Sequence, residues 1–211
     1  MFDFPILSLL IWVPVLIGLL LILSNKISDN LSQLITLLTS FLILVVSINL
    51  TQAYDHTTSQ LQFIERIEWI SGLNIFYYLA VDGISVSLIL LTAFINFLIA
   101  IYASSENYAK KSSFLGYFLI LEGLLIGTFS AFDSILFYIF FESLLIPLFL
   151  IIGIWGGANR KYATLKFFLY TLFGSVLMLI SIIYLAKISG SFAIQDFYSV
   201  NLSFQEELLI L

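Results

Sequence analysis

The residue in this sequence best placed for chemistry is Glu142, a single carboxylic acid near the middle of the apolar stretch from Phe132 to Gly157. Counted from Asp133 at ~1.5 Å per helical residue, its carboxylate lies roughly 13–14 Å into a hydrocarbon core of about 30 Å. An ionisable group at that depth is costly and by default marks a functional site. Pro147 follows shortly and lacks an N–H, which predicts a helix break and an unpaired carbonyl on Ser143. This pattern is typical of a proton-handling site. The alternative is a glutamate that only hydrogen-bonds a neighbouring helix.

Two further ionisable side chains lie inside apolar segments. Glu122 is interpreted either as a second proton-carrying carboxylate that faces Glu142 or as a polar residue that bonds a neighbouring helix. Burial and like charge both disfavour ionisation, so two such acids on consecutive helices predict that at least one is neutral at rest. Lys166, at the start of the last apolar segment, either turns its ammonium toward Glu142 or extends it outward to the membrane surface.

Other residues near these acids have structural interpretations. Asp133, in the short turn before the stretch that carries Glu142, is the predicted N-cap of the next helix. Small side chains allow two helices to approach closely in a membrane. The residues that fit this role are Gly123, Gly127, Gly174 and Ser175.

The composition indicates a membrane protein. The 211 residues are 61% hydrophobic and 10% charged, with a mean hydropathy of +1.11, which excludes an ordinary soluble domain. Cysteine is absent and the single histidine, His56, falls in a polar loop. The usual ligand sets for zinc, iron–sulfur clusters or haem are therefore missing. The net charge is −5 without a basic run, so no nucleic-acid partner is expected.

The elements that must position these residues are membrane-spanning helices. Each of six apolar segments is close to the ~20 residues that a span requires, and backbone pairing in lipid makes them helical. This predicts an all-α, polytopic membrane protein. The predicted spans are Pro5 to Leu23, Leu31 to Leu50, Ile84 to Ala103, Phe114 to Ala131, Ser134 to Ile154 and Thr164 to Ala186. They divide the chain into two N-terminal spans (1–50), a polar outer loop (51–82), four spans (83–187) and an outer segment that begins the next helix (188–211).

The loop charges predict an orientation. Asp3 stands where a signal peptide carries Lys or Arg, so we expect the first helix to be retained. Cations cluster in loops one, three and five, which the positive-inside rule assigns to the cytoplasm or matrix. These cations are Lys26, Lys110, Lys111, Arg160 and Lys161, against Arg66 and Lys187 on the other side. The N-terminus and the long second loop then face the periplasm or intermembrane space.

The long second loop is expected to contain local structure. The segment QLQFIERIEW and the Ser71-Gly72 turn signal predict a short hairpin that lies on the membrane surface. The following run IFYYLAVDG is predicted to be amphipathic, with its aromatic residues at the level of the interface. Asp82-Gly83 predicts a turn onto the third span.

The sequence resembles the subunit 4 family of respiratory NADH dehydrogenase (complex I), whose bacterial members are called subunit M. Three segments carry the resemblance in this order and spacing: VDGISVSLILLT, LFYIFFESLLIPLFLIIGIWGG and KFFLYTLFGSVLML. The most specific pattern is FFExxLIPxFLIIGxWGG, and the resemblance covers nearly the whole chain. The family is also similar to the large subunits of multi-subunit sodium/proton antiporters and of membrane-bound hydrogenases.

The resemblance implies an antiporter-like fold of fourteen membrane helices in two inverted repeats. It implies a membrane-arm unit that carries protons, coupled to electron transfer from NADH to quinone, in the mitochondrial inner membrane or a bacterial plasma membrane. Glu142 falls on the proton-pathway carboxylate of the family, whereas the family has no uniform acid at Glu122. Lys166 matches only the start of the KFFLYT stretch. No cofactor is expected in this chain; FMN, iron–sulfur clusters and quinone would belong to other subunits.

The sequence departs from the family in length. The partner lysine of the family lies on a seventh, broken helix of the type FAVKxPxxPxHxWLPDAH, which this sequence lacks. The expected partners are other membrane-arm subunits, lipids and a second polypeptide that supplies the missing helices. Two explanations for the short sequence are a split gene and a truncated remnant. The intact Glu142 and Pro147 favour the split gene. Three functions stay open at this point: a proton-translocating subunit, a sodium/proton antiporter subunit and a structural anchor.

Overall fold

Long apolar runs in this sequence form helices because lipid offers backbone groups no partners. The computed structural model describes residues 5–24, 27–105 and 108–210. In these ranges six helices are long and apolar enough to cross a membrane, which confirms the predicted all-α membrane fold. Asp3 and Lys26, on which the predictions about the first helix and the loop charges partly depend, lie outside the described residues.

The observed helices agree with the predicted spans to within a few residues. They are α1 (Ile6–Leu23), α2 (Asp29–Ala53), α3 (Gly83–Ser105), α4 (Lys111–Ser130), α5 (Ser134–Trp155) and α6 (Arg160–Ser189), followed by the short α7 (Ile194–Phe197) and α8 (Phe204–Ile210). The largest difference is at the start of α6. Lys111, Arg160 and Lys161 were predicted as loop residues but belong to the first turns of α4 and α6.

Helix α4 lies at the centre of the bundle and packs against α1, α2, α3 and α5. Its closest neighbour is α1, and glycines on both helices make that approach close. A Cβ added at Gly123 would collide with the carbonyl oxygen of Ile11, and one added at Gly116 would lie 2.7 Å from the carbonyl oxygen of Gly18. The two backbones are therefore in direct contact, as small residues permit in membrane helices.

The small residues predicted to promote packing do so at different interfaces. Gly123 faces α1, whereas a Cβ on Gly127 would lie 2.8 Å from the ring of Phe140 on α5. These two glycines thus allow the close approach of two different helices, α1 and α5, rather than of one. Gly174 on α6 has open space around it, so the prediction of a close helix approach there is wrong for the described part of the chain. Ser175, the next residue, is buried.

Pro147 does not break α5. The helix continues from Ser134 to Trp155 with Pro147 buried inside it, so the predicted helix break is wrong. A proline removes one backbone hydrogen bond, and packing of α5 between α4 and α6 holds the rest of the helix together. One turn before the freed carbonyl, the Ser143 hydroxyl donates to the carbonyl oxygen of Ile139 at 2.7 Å.

The long second loop contains the predicted hairpin. Strand β1 (Gln62–Ile70) pairs antiparallel with β2 (Ile75–Val81). A 3₁₀ turn over Ser71–Leu73 joins them, and Asn74 completes the reversal in the left-handed region at φ 53°. Asparagine tolerates that conformation better than most residues. The turn predicted at Ser71-Gly72 is confirmed.

Strand β2 is more buried than an amphipathic segment would be. Tyr78, Leu79, Ala80 and Val81 are all buried, so the prediction of an amphipathic run is wrong. The chain between α4 and α5 covers this strand: the Phe132 N–H donates to the carbonyl oxygen of Tyr78 at 2.9 Å. The hairpin is therefore part of the packed structure at one end of the bundle.

Carboxylates accept the free N–H groups where α1 and α3 begin. Glu65 of β1 accepts from the Leu7 N–H at 2.7 Å and from the Ser8 N–H at 3.1 Å. An irregularity in the strand register just before Glu65 re-aims its side chain toward α1. Asp82 accepts from the Ser85 N–H at 2.7 Å at the start of α3, where the sequence predicted a turn. These caps satisfy donors that a helix start leaves unpaired.

Candidate functional site

Glu122 and Glu142 lie at the same depth on neighbouring antiparallel helices. Glu122 is eight residues from the end of α4 at Ser130, and Glu142 is eight residues from the start of α5 at Ser134. At ~1.5 Å per residue, both carboxylates lie about 12 Å inside the bundle from the same side. The predicted depth near the middle of a span therefore applies to both acids.

Glu122 is completely enclosed. Its side chain is 0% exposed, and neither carboxylate oxygen has a hydrogen-bond partner among the described residues. The enclosure follows from the position of α4, which has helices on several sides, and from the close α1 contact at the adjacent Gly123. A buried, unpaired carboxylate favours its neutral form because the charged form has lost its solvation.

Glu142 occupies a more open position. Its side chain is half-buried, and one carboxylate oxygen, Oε1, is buried without a partner in the described structure. Tyr138, one turn earlier on α5, lies on the same face of the helix as Glu142 at the i, i+4 spacing. The acid thus has a polar neighbour on its own helix.

Lys166 does not lie beside Glu142. Its side chain is exposed on α6, and its ammonium lies 5.7 Å and 5.8 Å from the ring centres of Tyr162 and Tyr170, one turn away on either side. Such aromatic contacts stabilise a cation at an exposed position. Of the two alternatives for this lysine, the structure fits the outward one.

Asp133 is the confirmed N-cap of α5 and also binds the hairpin. Its Oδ1 accepts from the Ile135 and Leu136 N–H groups at 3.0 and 3.2 Å, and its Oδ2 accepts from the Phe76 N–H of β2 at 3.0 Å. Burial raises the pKa of Asp133, while these three donors and the Arg66 guanidinium oppose that increase. Asp133 therefore fixes the start of the helix that carries Glu142.

Sequence reasoning identified the two acids but missed their neighbours. It gave no role to Tyr138, although the i, i+4 spacing from Tyr138 to Glu142 places both on one face of a helix. It also missed the Glu65 cap, for which the sequence carries no signal because the partners are far apart along the chain.

A carboxyl group at this depth can hold a proton that it exchanges with a neighbour, which is the basic step of proton transfer through a membrane. The two acids, at one level on adjacent helices of a polytopic bundle, define a class of membrane protein with ionisable groups in the middle of its spans.

The chain is similar to known proteins over most of its length. Residues 131–211 match the family model described as NADH:quinone oxidoreductase/Mrp antiporter, TM. NADH-quinone oxidoreductase subunit M of Rickettsia prowazekii is 39% identical over 198 residues, covering 91% of this chain and 40% of the relative. NADH-ubiquinone oxidoreductase chain 4 of Marchantia polymorpha is 34% identical and covers 97% of this chain and 41% of the relative.

Solved structures share the fold. The match to respiratory complex I from Thermus thermophilus has a TM-score of 0.83 and 27% identity, covering 97% of this chain and 41% of that chain. The match to the Mrp complex from Dietzia sp. has a TM-score of 0.81 at 14% identity, covering 97% of this chain and 22% of that chain, and shows the fold alone. Over most of its length the chain is therefore similar to membrane subunits of NADH:quinone oxidoreductase, and its residues 131–211 match the family model shared with Mrp antiporters. It spans about two fifths of the length of the relatives it matches.

Proposed function

We propose that this chain is part of a proton-translocating membrane subunit of an NADH:quinone oxidoreductase, with Glu142 as a proton carrier. The observation that carries the proposal is an ionisable carboxyl group near the middle of a span, with one buried oxygen left unpaired in the described structure. A bilayer protein retains such a group at a free-energy cost, so a role in proton transfer is its best explanation. The relatives named subunit M and chain 4 support the same function.

In this proposal the chain binds and releases protons, and it carries out no redox reaction itself. Glu142 alternates between a protonated, neutral state and an ionised state. A cation that approaches it favours the ionised state, and withdrawal of the cation favours the protonated one. Glu122, at the same depth, is a second proton-binding group on the path. Electron transfer from NADH to quinone, with its FMN and iron–sulfur clusters, belongs to other subunits and drives the change through conformation.

The proposal includes partners and a location. Other membrane-arm subunits and lipids surround the chain. The plant relatives support a mitochondrial inner membrane and the bacterial relatives support a plasma membrane. The end of the bundle that holds the β1–β2 hairpin faces the intermembrane space or periplasm, as the loop cations indicate.

The substitution Glu142→Gln tests the function. Glutamine keeps the size and polarity of the side chain but cannot carry a proton. In the assembled complex, reconstituted in vesicles, we expect proton pumping per NADH oxidised to fall to a small fraction of the wild-type value. The matched control is Glu68→Gln, which makes the same change on an exposed part of the hairpin. Normal pumping in a correctly assembled Glu142→Gln complex would contradict the role of Glu142.

A sodium/proton antiporter subunit is the second candidate, because the family model also covers Mrp antiporters. The two candidates differ in their partners. Purification in mild detergent, with each co-migrating chain identified by mass spectrometry, separates them. Flavin and iron–sulfur subunits support the oxidoreductase, and only antiporter-type membrane subunits support the antiporter. If the complex pumps normally with Glu142→Gln but is lost when the chain is deleted, the chain is a structural anchor.

A further inference from the structure

A cationic cleft opens at the turn between α5 and α6. Residues 156–162 line it, and its volume is about 770 Å³. Gly156 and Gly157 add no side chains to its wall, whereas Arg160 and Lys161 supply positive charge. A cleft of this volume has room for a small charged group. Its size and its charge are those of a binding site for an anion.

The positive charge around the cleft has no acidic counterpart in this part of the sequence. No aspartate or glutamate lies between Glu142 and Asp196. The same stretch contains Arg160, Lys161 and Lys166, and all three side chains are exposed. A cluster of exposed cations without acids attracts a negatively charged partner.

Aromatic side chains place the cleft at the surface of the membrane. Trp155 ends α5 directly before the cleft, and its indole Nε1 donates to the carbonyl oxygen of Ala109 at 2.7 Å. Its ring packs against the rings of Phe114 and Tyr117, at centroid distances of 5.1 and 6.0 Å. Tryptophan and tyrosine are enriched where membrane-spanning helices reach the lipid headgroups. The cations of the cleft therefore lie at the level of lipid phosphates.

Helix α6 extends this surface into the apolar part of the membrane. Lys166 follows Arg160 by six residues, which is about 9 Å along the helix. Its ammonium lies 5.7 Å from the ring centre of Tyr162, a residue that lines the cleft. Leu165 and Leu169, on the same open side of α6, are 56% and 62% exposed. A ligand that fits this surface carries a negative group at the cleft and an apolar chain along α6.

We propose that the cleft at the α5–α6 turn binds the phosphate group of an anionic phospholipid, whose acyl chains lie against the exposed side of α6. Free phosphate has the same charge, but it leaves the apolar surface below the cleft uncovered. Basic pockets between membrane helices recognise acidic lipid headgroups by this combination of contacts. Lipid binding at the cleft involves no proton transfer, so it goes beyond the proposed function and is independent of it.

The three cations have different parts in the site. The Arg160 guanidinium donates to the carbonyl oxygen of Ile154 at 2.9 Å, which holds it at the end of α5. Its other N–H groups can donate to phosphate oxygens, as charge-assisted hydrogen bonds. Lys161 lines the cleft and pairs with the phosphate as a point charge. Lys166 attracts the same phosphate from deeper in the membrane, since a lysine there extends its ammonium toward the headgroups.

Photo-crosslinking in vesicles tests the site. The assembled complex is reconstituted in phosphatidylcholine vesicles that contain a small fraction of phosphatidylglycerol with a photoreactive group at the top of one acyl chain. Labelled peptides are then identified by mass spectrometry. We expect label in 155–173, and much less label there when phosphatidylcholine carries the photoreactive group. Excess inorganic phosphate, added at constant ionic strength, should not displace the label.

Substitutions of single cations measure the charge contribution. Lys161→Gln should raise the phosphatidylglycerol fraction needed for half-maximal label about five-fold, the effect of one cation near a membrane surface. Lys166→Gln should raise it by less, because two tyrosine rings share that ammonium. The matched control Lys187→Gln removes an exposed cation from the last turn of the same helix and should leave the label in 155–173 unchanged.

Three results would overturn the lipid site. They are equal labelling by the two lipids, absence of label from 155–173, and wild-type labelling of Lys161→Gln. Displacement of the label by inorganic phosphate would assign the cleft to free phosphate and also overturn it. Should the Lys161→Gln complex not assemble, the comparison of the two lipids on the wild-type complex decides. Proton pumping by Glu142→Gln is a separate measurement, so failure of the lipid site and failure of the proposed function are told apart.

Discussion

Glu122 and Glu142 share a depth in the membrane but differ in their surroundings. Around Glu122 the bundle is closed, since α4 has helices on several sides and 61% of the residues in its most apolar stretch are buried. Around Glu142 the bundle opens toward α6, where only 11% of the residues in the most apolar stretch are buried. The same residue type thus lies in a sealed interior in one place and near an open edge in the other.

This difference assigns different roles to the two regions. In the closed region, α1 and α4 are in direct backbone contact beside Glu122, and the Glu122 side chain is fully buried. At the open edge, the Glu142 side chain is only half-buried, so it exchanges a proton more readily than a fully buried acid does. Within the proposed function, the more open position of Glu142 fits the role of proton carrier better than the enclosed position of Glu122.

The largest contrast is expected for one substitution made at two glycines. Gly123→Val places a side chain against the Ile11 carbonyl in the closed region, which should destabilise the α1–α4 contact by about 3 kcal/mol and prevent assembly. Gly174→Val at the open edge meets no neighbour in the described structure and should change stability by less than about 1 kcal/mol. Native gels of the two variants measure assembly. Normal assembly of Gly123→Val would show that the two helices are not in close contact.

A smaller contrast is expected for the two acids. Glu122→Leu removes a fully buried carboxyl group with no partner among the described residues, so we expect it to stabilise the folded chain by about 1–3 kcal/mol. Glu142→Leu should change stability by less than about 1 kcal/mol, because that side chain is half-buried. The measurement is the temperature at which each variant chain unfolds within the assembly. Destabilisation by Glu122→Leu would reveal a hydrogen-bond partner outside the described structure.

The smallest effect concerns the C-terminal part of α6, where α8 meets it. The Ser203 hydroxyl, the Tyr184 hydroxyl and the Ser203 N–H donate to Glu206 and lower its pKa to about 2. A carboxylate with a lowered folded-state pKa stabilises the fold above its ordinary pKa of 4.5, and that contribution is lost as the pH falls through about 2. We therefore expect amide hydrogen exchange in 203–210 to increase at acidic pH, after correction for intrinsic exchange. Glu206→Gln should remove this pH dependence; if it persists, another group holds α8.

Sequence periodicity and composition predicted the membrane helices well. Apolar length alone located all six spans, because lipid leaves backbone groups no other way to pair. Asp133 was predicted as an N-cap because the interaction is local, within a few residues of the chain. Where tertiary packing decided, the predictions failed: Pro147 sits inside a continuous helix held by its neighbours, and the amphipathic segment is a buried strand.

The sequence by itself determined that the chain spans a membrane and that two carboxylic acids lie near the middle of adjacent spans. It did so because burial in lipid constrains each helix independently of the others. Only the tertiary structure decided which acid is enclosed and that Lys166 is exposed between two tyrosine rings. Those properties depend on the rotation of each helix against its neighbours. That rotation is fixed by contacts between residues far apart in the chain, such as the contact of Gly123 on α4 with Ile11 on α1.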